Sequence, residues 1–219
     1  MVGPEKAQND IITILTIIKQ NRMTKFEEKK FSLPKLKGLS EKNIEEHLKL
    51  YAGYVKNSNS VIEKISELSQ DQEKNSYIIG ELFRRFSFEY NGMRNHEVYF
   101  GSLENGPAAI TPGGDFEKVM VETCGSVEIF MTGFKNMAMT RGVGWAMLWL
   151  DIKNKRLLTS WVDEHHLGQL SGCAPILALD MWEHSFVADY TPSGKKNYIE
   201  DFFANLNWHV IEQNFSSAL

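Results

Sequence analysis

The sequence predicts an α+β protein: an N-terminal helical hairpin followed by an α/β domain with a small three-stranded antiparallel sheet. Three observations carry this. Apolar residues keep a helical period through Ile44, Leu48, Tyr51 and Val55, and again between Ile78 and Phe100. A segment from Glu104 to Asp115, carrying Gly106-Pro107 and Pro112-Gly113-Gly114, separates that region from the rest. Beyond it, short apolar runs alternate with helical stretches.

In order along the chain, residues 1–30 read as an extension in which Ile11, Ile12, Leu15 and Ile18 form one helical stripe. Residues 31–108 make the hairpin domain. Ser40 is placed to cap its first helix, and the polar run Ser69–Lys74 interrupts the helical pattern. Residues 115–219 make the α+β domain. Phe116–Met139 reads as two helices with a break near Gly133. Trp145–Asp151 and Leu157–Val162 read as a hairpin turning at Lys153-Asn154-Lys155. Ile176–Leu179 is a short buried strand, and Ile199–Phe215 a closing helix.

Composition excludes several classes. Over 219 residues, 42% are hydrophobic and 24% charged, an ordinary globular balance. A net charge of -4 is a poor counterpart for the phosphates of nucleic acid. The best candidate for a spanning segment, Ile11–Ile18, carries Thr13 and Thr16 and is far short of the ~20 residues such a helix needs. It also lacks the basic start and cleavage site of a signal peptide. Cys124 and Cys173 stand in no CxxC spacing, which points to a reduced, cytoplasmic chain. No Gly-rich phosphate loop or nucleophile elbow is present.

Six histidines remain to be explained. His47 and His96 fall one in each helix of the hairpin, and His184 follows Asp180 by four residues. That spacing places a carboxylate and an imidazole on one side of a helical turn, where they can share a metal ion. Histidines on facing helices can complete such a pocket. The plainer alternative is that these are surface or satisfied core histidines. His96-Glu97 starts like a zinc-protease motif, but Phe100 stands where its second histidine belongs.

The run Asp180-Met181-Trp182-Glu183-His184, followed by Tyr190, Tyr198 and Asn207-Trp208, resembles the C-terminal signature of the iron/manganese superoxide dismutases. The resemblance extends over nearly the whole chain beyond the extension. It includes Phe31-Ser32-Leu33-Pro34, Tyr54-Val55 with Asn57 and Asn59, Asn95-His96 with Tyr99-Phe100, and Gly142-Val143-Gly144-Trp145-Ala146. It implies one iron or manganese ion per subunit, held by His47, His96, Asp180 and His184. Tyr54 is implied as the gateway phenol, and Trp145, Trp182 and Tyr99 as the apolar wall. Glu183 is implied to reach the ligating histidine of a partner in a homodimer, or in a homotetramer built from dimers. The substrate is superoxide, converted to oxygen and hydrogen peroxide.

The chain departs from the family pattern in ways that leave alternatives open. Counting back from Tyr54 puts the first ligand at Glu46, with His47 one place later; a one-residue deletion, removing a π-bulge, restores His47. The family glutamine beside the metal-bound solvent is missing, because Gly92 and Leu157-Leu158-Thr159 occupy its two usual places. His165 is expected to replace it, as in archaeal-type members, with His166 the competing neighbour. Leu50 and Val187 replace the paired interface residues. Lys49 and Lys195 are candidates for attracting an anion. A dismutase-like fold that has lost its chemistry and serves as an interaction protein is the competing reading, and a zinc hydrolase a more distant one.

Overall fold

The computed structural model describes residues 25–219. The stripe from Ile11 to Ile18 lies outside the described residues. Residues 25–39 run as an extended arm held by backbone-recognising side chains. Asn59 bonds both the N–H and the carbonyl of Phe26 (2.9 Å each), and Asn205 does the same for Lys37 (2.8 Å each).

Helix α1, Glu41–Leu68, starts where Ser40 Oγ accepts the Asn43 N–H at 3.2 Å. Its buried face runs Asn43, His47, Tyr51, Val55, Ser58 and Val61, steps of three or four that keep one side of the helix turned inward. After a 3₁₀ turn, Ser69–Asp71, helix α2 spans Gln72–Gly101 and returns antiparallel. Its second half is the buried one, carrying Gly92, Met93, His96, Tyr99 and Phe100.

Helix α3, Asp115–Cys124, and helix α4, Val127–Ala138, follow. The expected break near Gly133 falls instead at Gly125-Ser126. Gly125 adopts φ +90°, which a glycine tolerates best, and Ser126 caps α4. Gly133 sits inside α4, facing open space.

Strands β1 (Gly144–Asp151), β2 (Arg156–Asp163) and β3 (Cys173–Asp180) form an antiparallel sheet in the order β2-β1-β3. Central β1 is buried along nearly its whole length, as a strand covered on both faces must be. Its register pairs Trp145 with both Val162 and Asp180, with an irregularity between Leu148 and Trp149. The closing region is two helices, α5 (Lys195–Asn205) and α6 (Trp208–Ala218), not the single one expected. Leu206 is extended, and Asn207 accepts the His209 N–H to start the second.

Buried residues of the hairpin, the sheet and the closing helices belong to one hydrophobic core, with Tyr51, Tyr99, Trp145, Phe134, Phe202 and Phe215 among its largest members. Each such side chain contributes roughly 1.5–3 kcal/mol on burial. Among the described residues no helix is long and apolar enough to cross a membrane.

Candidate metal centre

Four elements deliver the centre. His47 comes from the inner face of α1 and His96 from α2. Asp180 is the last residue of β3, and His184 stands in the 3₁₀ turn Glu183–Ser185. The stretch from Asp180 to His184 is therefore a strand end and a tight turn, not the helical turn its spacing suggested. The two side chains meet all the same, His184 Nε2 lying 3.2 Å from Asp180 Oδ2. His47 Nε2 is 3.1 Å and His96 Nε2 3.6 Å from that same oxygen. One ligand atom from each residue lies within 4.8 Å of the other three. His47, His96 and Asp180 are fully buried.

The protonation pattern fits a cation. His96 Nδ1 lies 2.6 Å from the Gly92 carbonyl and must carry the proton to donate there. A neutral His96 then turns a bare lone pair on Nε2 toward the carboxylate, and that buried nitrogen has no hydrogen-bond partner. Burial pushes His96 well below the usual imidazole range, helped by His47, and burial also lowers His47. Burial alone would raise Asp180, but the imidazoles of His184 and His47 outweigh it and keep the carboxylate ionised. The His96 lone pair, aimed at an anionic oxygen 3.6 Å away, meets repulsion there that a positive ion between the two relieves. Three imidazoles and one carboxylate are a donor set suited to iron or manganese.

Glu46 takes no part in this group. It is exposed on α1 and bonds Lys49 at 2.7 Å. α1 is regular α-helix throughout, so the seven residues from His47 to Tyr54 put both side chains on one face.

Beside the donors runs a second chain of contacts. Trp145 Nε1 donates to His165 Nδ1 at 3.0 Å, and His165 Nε2 lies 2.7 Å from the Tyr54 hydroxyl. An indole nitrogen can only donate, so Nδ1 accepts, and the proton of neutral His165 sits on Nε2, donated to Tyr54. Burial lowers His165 to about 4, which keeps it neutral at physiological pH. Burial and then the charge of Asp180 raise Tyr54, so the phenol keeps its proton. Trp182 stacks on His165 at 4.9 Å and on His184 at 5.7 Å between centroids. His166 lies outside this chain, its ring against Phe88 and its Nδ1 3.8 Å from Glu164.

The remaining expected residues occupy different places. Tyr99 is buried behind the donors, its hydroxyl 3.3 Å from that of Tyr198, which donates to the Asp180 carbonyl at 2.8 Å. Glu183 is exposed next to His184, as are Leu50 and Val187. Neither expected lysine is uncommitted: Lys49 is paired with Glu46, and Lys195 donates to the Thr140 carbonyl and lies over the Trp161 ring. Residue patterns missed Ser185, whose hydroxyl contacts the Asp180 carbonyl at 3.0 Å, and the pair Asn95 and Gln169 behind His165. Asn95 stood within a motif, whereas Gln169 carried no signal.

The model for the C-terminal domain of iron/manganese superoxide dismutases matches residues 112–214. An iron superoxide dismutase of Aquifex pyrophilus is 34% identical over 195 residues, covering 84% of this chain and 87% of that protein. The chain belongs to the iron/manganese superoxide dismutase family. An iron superoxide dismutase of Cupriavidus metallidurans is 34% identical, with 84% of this chain and 92% of that protein covered. A manganese/iron superoxide dismutase of Aeropyrum pernix is 30% identical over 175 residues, covering 79% of this chain and 80% of that protein. Iron or manganese is the cofactor of these dismutases, and the His/Asp group in this one has the composition to hold a single such ion.

Proposed function

We propose that this protein is a superoxide dismutase in which His47, His96, Asp180 and His184 hold one iron or manganese ion. The observation that carries the reading is the convergence of three imidazole nitrogens on Asp180 Oδ2 beside the Trp145–His165–Tyr54 chain. The ion, when bound, supplies the one-electron chemistry that turns one superoxide into dioxygen and another, with two protons, into hydrogen peroxide. Tyr54 and His165 are the residues proposed to handle those protons. His165 Nε2–H donates to the Tyr54 oxygen, which leaves the phenol's own hydrogen uncommitted among the described side chains. Tyr54, half-buried and neutral, delivers that hydrogen and takes its next proton from solvent, while His165 keeps its Nε2 proton and steadies the phenol oxygen by donating to it. Trp145 holds His165 in the tautomer this requires, and Trp182 and Tyr99 keep the surroundings dry.

Glu183, Leu50 and Val187 are exposed in the single chain, and we assign them to a homodimer contact, with a homotetramer of such dimers as the larger assembly. A carboxylate reaching a ligating histidine across that contact would fix the ring and raise its basicity. The same reading divides the chain into residues 31–108 and 115–219 and places it in the cytoplasm, in keeping with its free cysteines Cys124 and Cys173. Elemental analysis of protein purified from its native host, with a superoxide assay on the same sample, tests the proposal. About one iron or manganese per chain and rapid dismutation are expected. Zinc alone, or no turnover with iron or manganese bound, refutes it.

A further inference from the structure

We infer that Gln169 is a positioning residue for the reaction proposed above, its side-chain amide clamping the backbone of His165 so that the imidazole stays on Tyr54. The inference rests on that reading. His165 sits in a turn closed by two backbone bonds, Asp163 N–H to the Leu167 carbonyl (2.8 Å) and Leu167 N–H to the Asp163 carbonyl (3.2 Å). Within it Glu164 holds φ +51°, a left-handed conformation that a residue with a side chain keeps only when its surroundings impose it. Trp182 Nε1 donates to the Glu164 carbonyl at 3.2 Å, and the next carbonyl, that of His165, accepts from two amides. Gln169 Nε2 gives the shorter bond, 2.9 Å, and Asn95 Nδ2 the longer, 3.3 Å. Gln169 Nε2 also lies 3.4 Å from Asn95 Oδ1, which joins the three groups in one closed set.

These contacts divide the labour. The bonds at the ring, from Trp145 and to Tyr54, decide which nitrogen carries the proton. The bonds at the carbonyl decide where the ring is anchored. A site group carried on a turn is held less accurately than one on a strand or helix unless such supports fix it. Here the support leads through Asn95 to α2, the helix that also carries His96. Gln169 thereby ties His165 to the frame of the metal centre without touching the donors. His165 faces that centre, its ring 6.0 Å from that of His96 between centroids, so its displacement alters the hydrogen bonding that tunes the ion.

Two variants probe this in the metal-loaded protein. Gln169→Glu keeps the shape but removes the donor, and Gln169→Met removes it without adding charge. Both should retain full metal content. Both should lose dismutation on the order of tenfold and shift the ion's reduction potential in the direction that His165→Ala shifts it. Combined with His165→Ala, neither should change rate or potential further. The inference is overturned if rate and potential are those of the unmodified protein. It is equally overturned if the loss is as large in the His165→Ala background, which would mark Gln169 as a general support of the loop. Should the unmodified, loaded protein show no dismutation, the proposed function fails, and the potential and its dependence on His165 decide the clamp alone.

Discussion

Replacing Asp180 or His184 with alanine removes one of four donors, and Asp180 is the one whose oxygen faces all three imidazoles. Elemental analysis should show more than a tenfold fall in bound metal for each variant, since a site short of one ligand no longer competes for the ion. His47→Ala should behave alike, whereas Glu46→Gln should keep both metal and activity, because Glu46 is exposed and paired with Lys49. Counting back from Tyr54 pointed to Glu46, and His47 was reached only by allowing a one-residue deletion. What separates them is the regularity of α1, a property of the backbone that residue identities do not display. His165→Ala should keep its metal but lose dismutation by about ten- to a hundredfold, as expected when a group beside a metal centre is lost. His165→Gln should retain more than the alanine variant, and His166→Ala should be nearly neutral, its ring being turned to Phe88.

At the scale of the element, α2 carries a glycine with an unusual burden. A methyl group on Gly92 would stand 2.7 Å from Tyr54 Cδ1, and the Gly92 carbonyl receives the His96 proton. An alanine inside a helix ordinarily gains about 0.5–1 kcal/mol over glycine. Here overpacking, about 1–3 kcal/mol, should win, so Gly92→Ala should melt lower and turn over more slowly because Tyr54 is displaced. A rise in melting temperature with full activity would contradict this. Gly133, with open space around it, is the control at which alanine should stabilise. The two glycines of the α3–α4 region show why boundaries were harder to read than the elements themselves. Gly125 breaks the helix through its left-handed backbone and Gly133 does not, yet both are one letter in a helical run. The division at Leu206 was hidden for the converse reason: no glycine or proline marks it, and the apolar pattern runs straight through.

For the molecule as a whole, the arm before α1 is tied to α5 by the Lys37–Asp201 ion pair (2.9 Å) and by Asn205, while Tyr190 donates to Asp201 at 2.7 Å. Burial works to raise Asp201, but the bonds from Lys37 and Tyr190 prevail and lower it. A carboxylate with a lowered folded pKa stabilises the fold above its unfolded pKa, about 3.9, and that contribution is lost as the pH falls through the folded value. Melting temperatures across pH should show Asp201→Asn less stable than the unmodified chain at neutral pH, with the gap closing below about pH 4. A constant gap would mean that the charge of Asp201 plays no part. Nothing in the arm's sequence announced these ties, because an extended segment held through its backbone has no periodicity to read. The hairpin and the sheet, by contrast, were legible from spacing alone. The donors were legible only as a set of types in order, since the close approach of His96 to Asp180 depends on how α2 meets the end of β3.

The contact between Gly92 and the Tyr54 ring also bears on how such a site can change over generations. The helix position shortly before His96, where the family pattern carries its glutamine, is here closed by an aromatic ring, and the residue proposed in its stead, His165, stands in a loop. A side chain can enter at position 92 only if Tyr54 gives way, so any change there is coupled to a change at Tyr54.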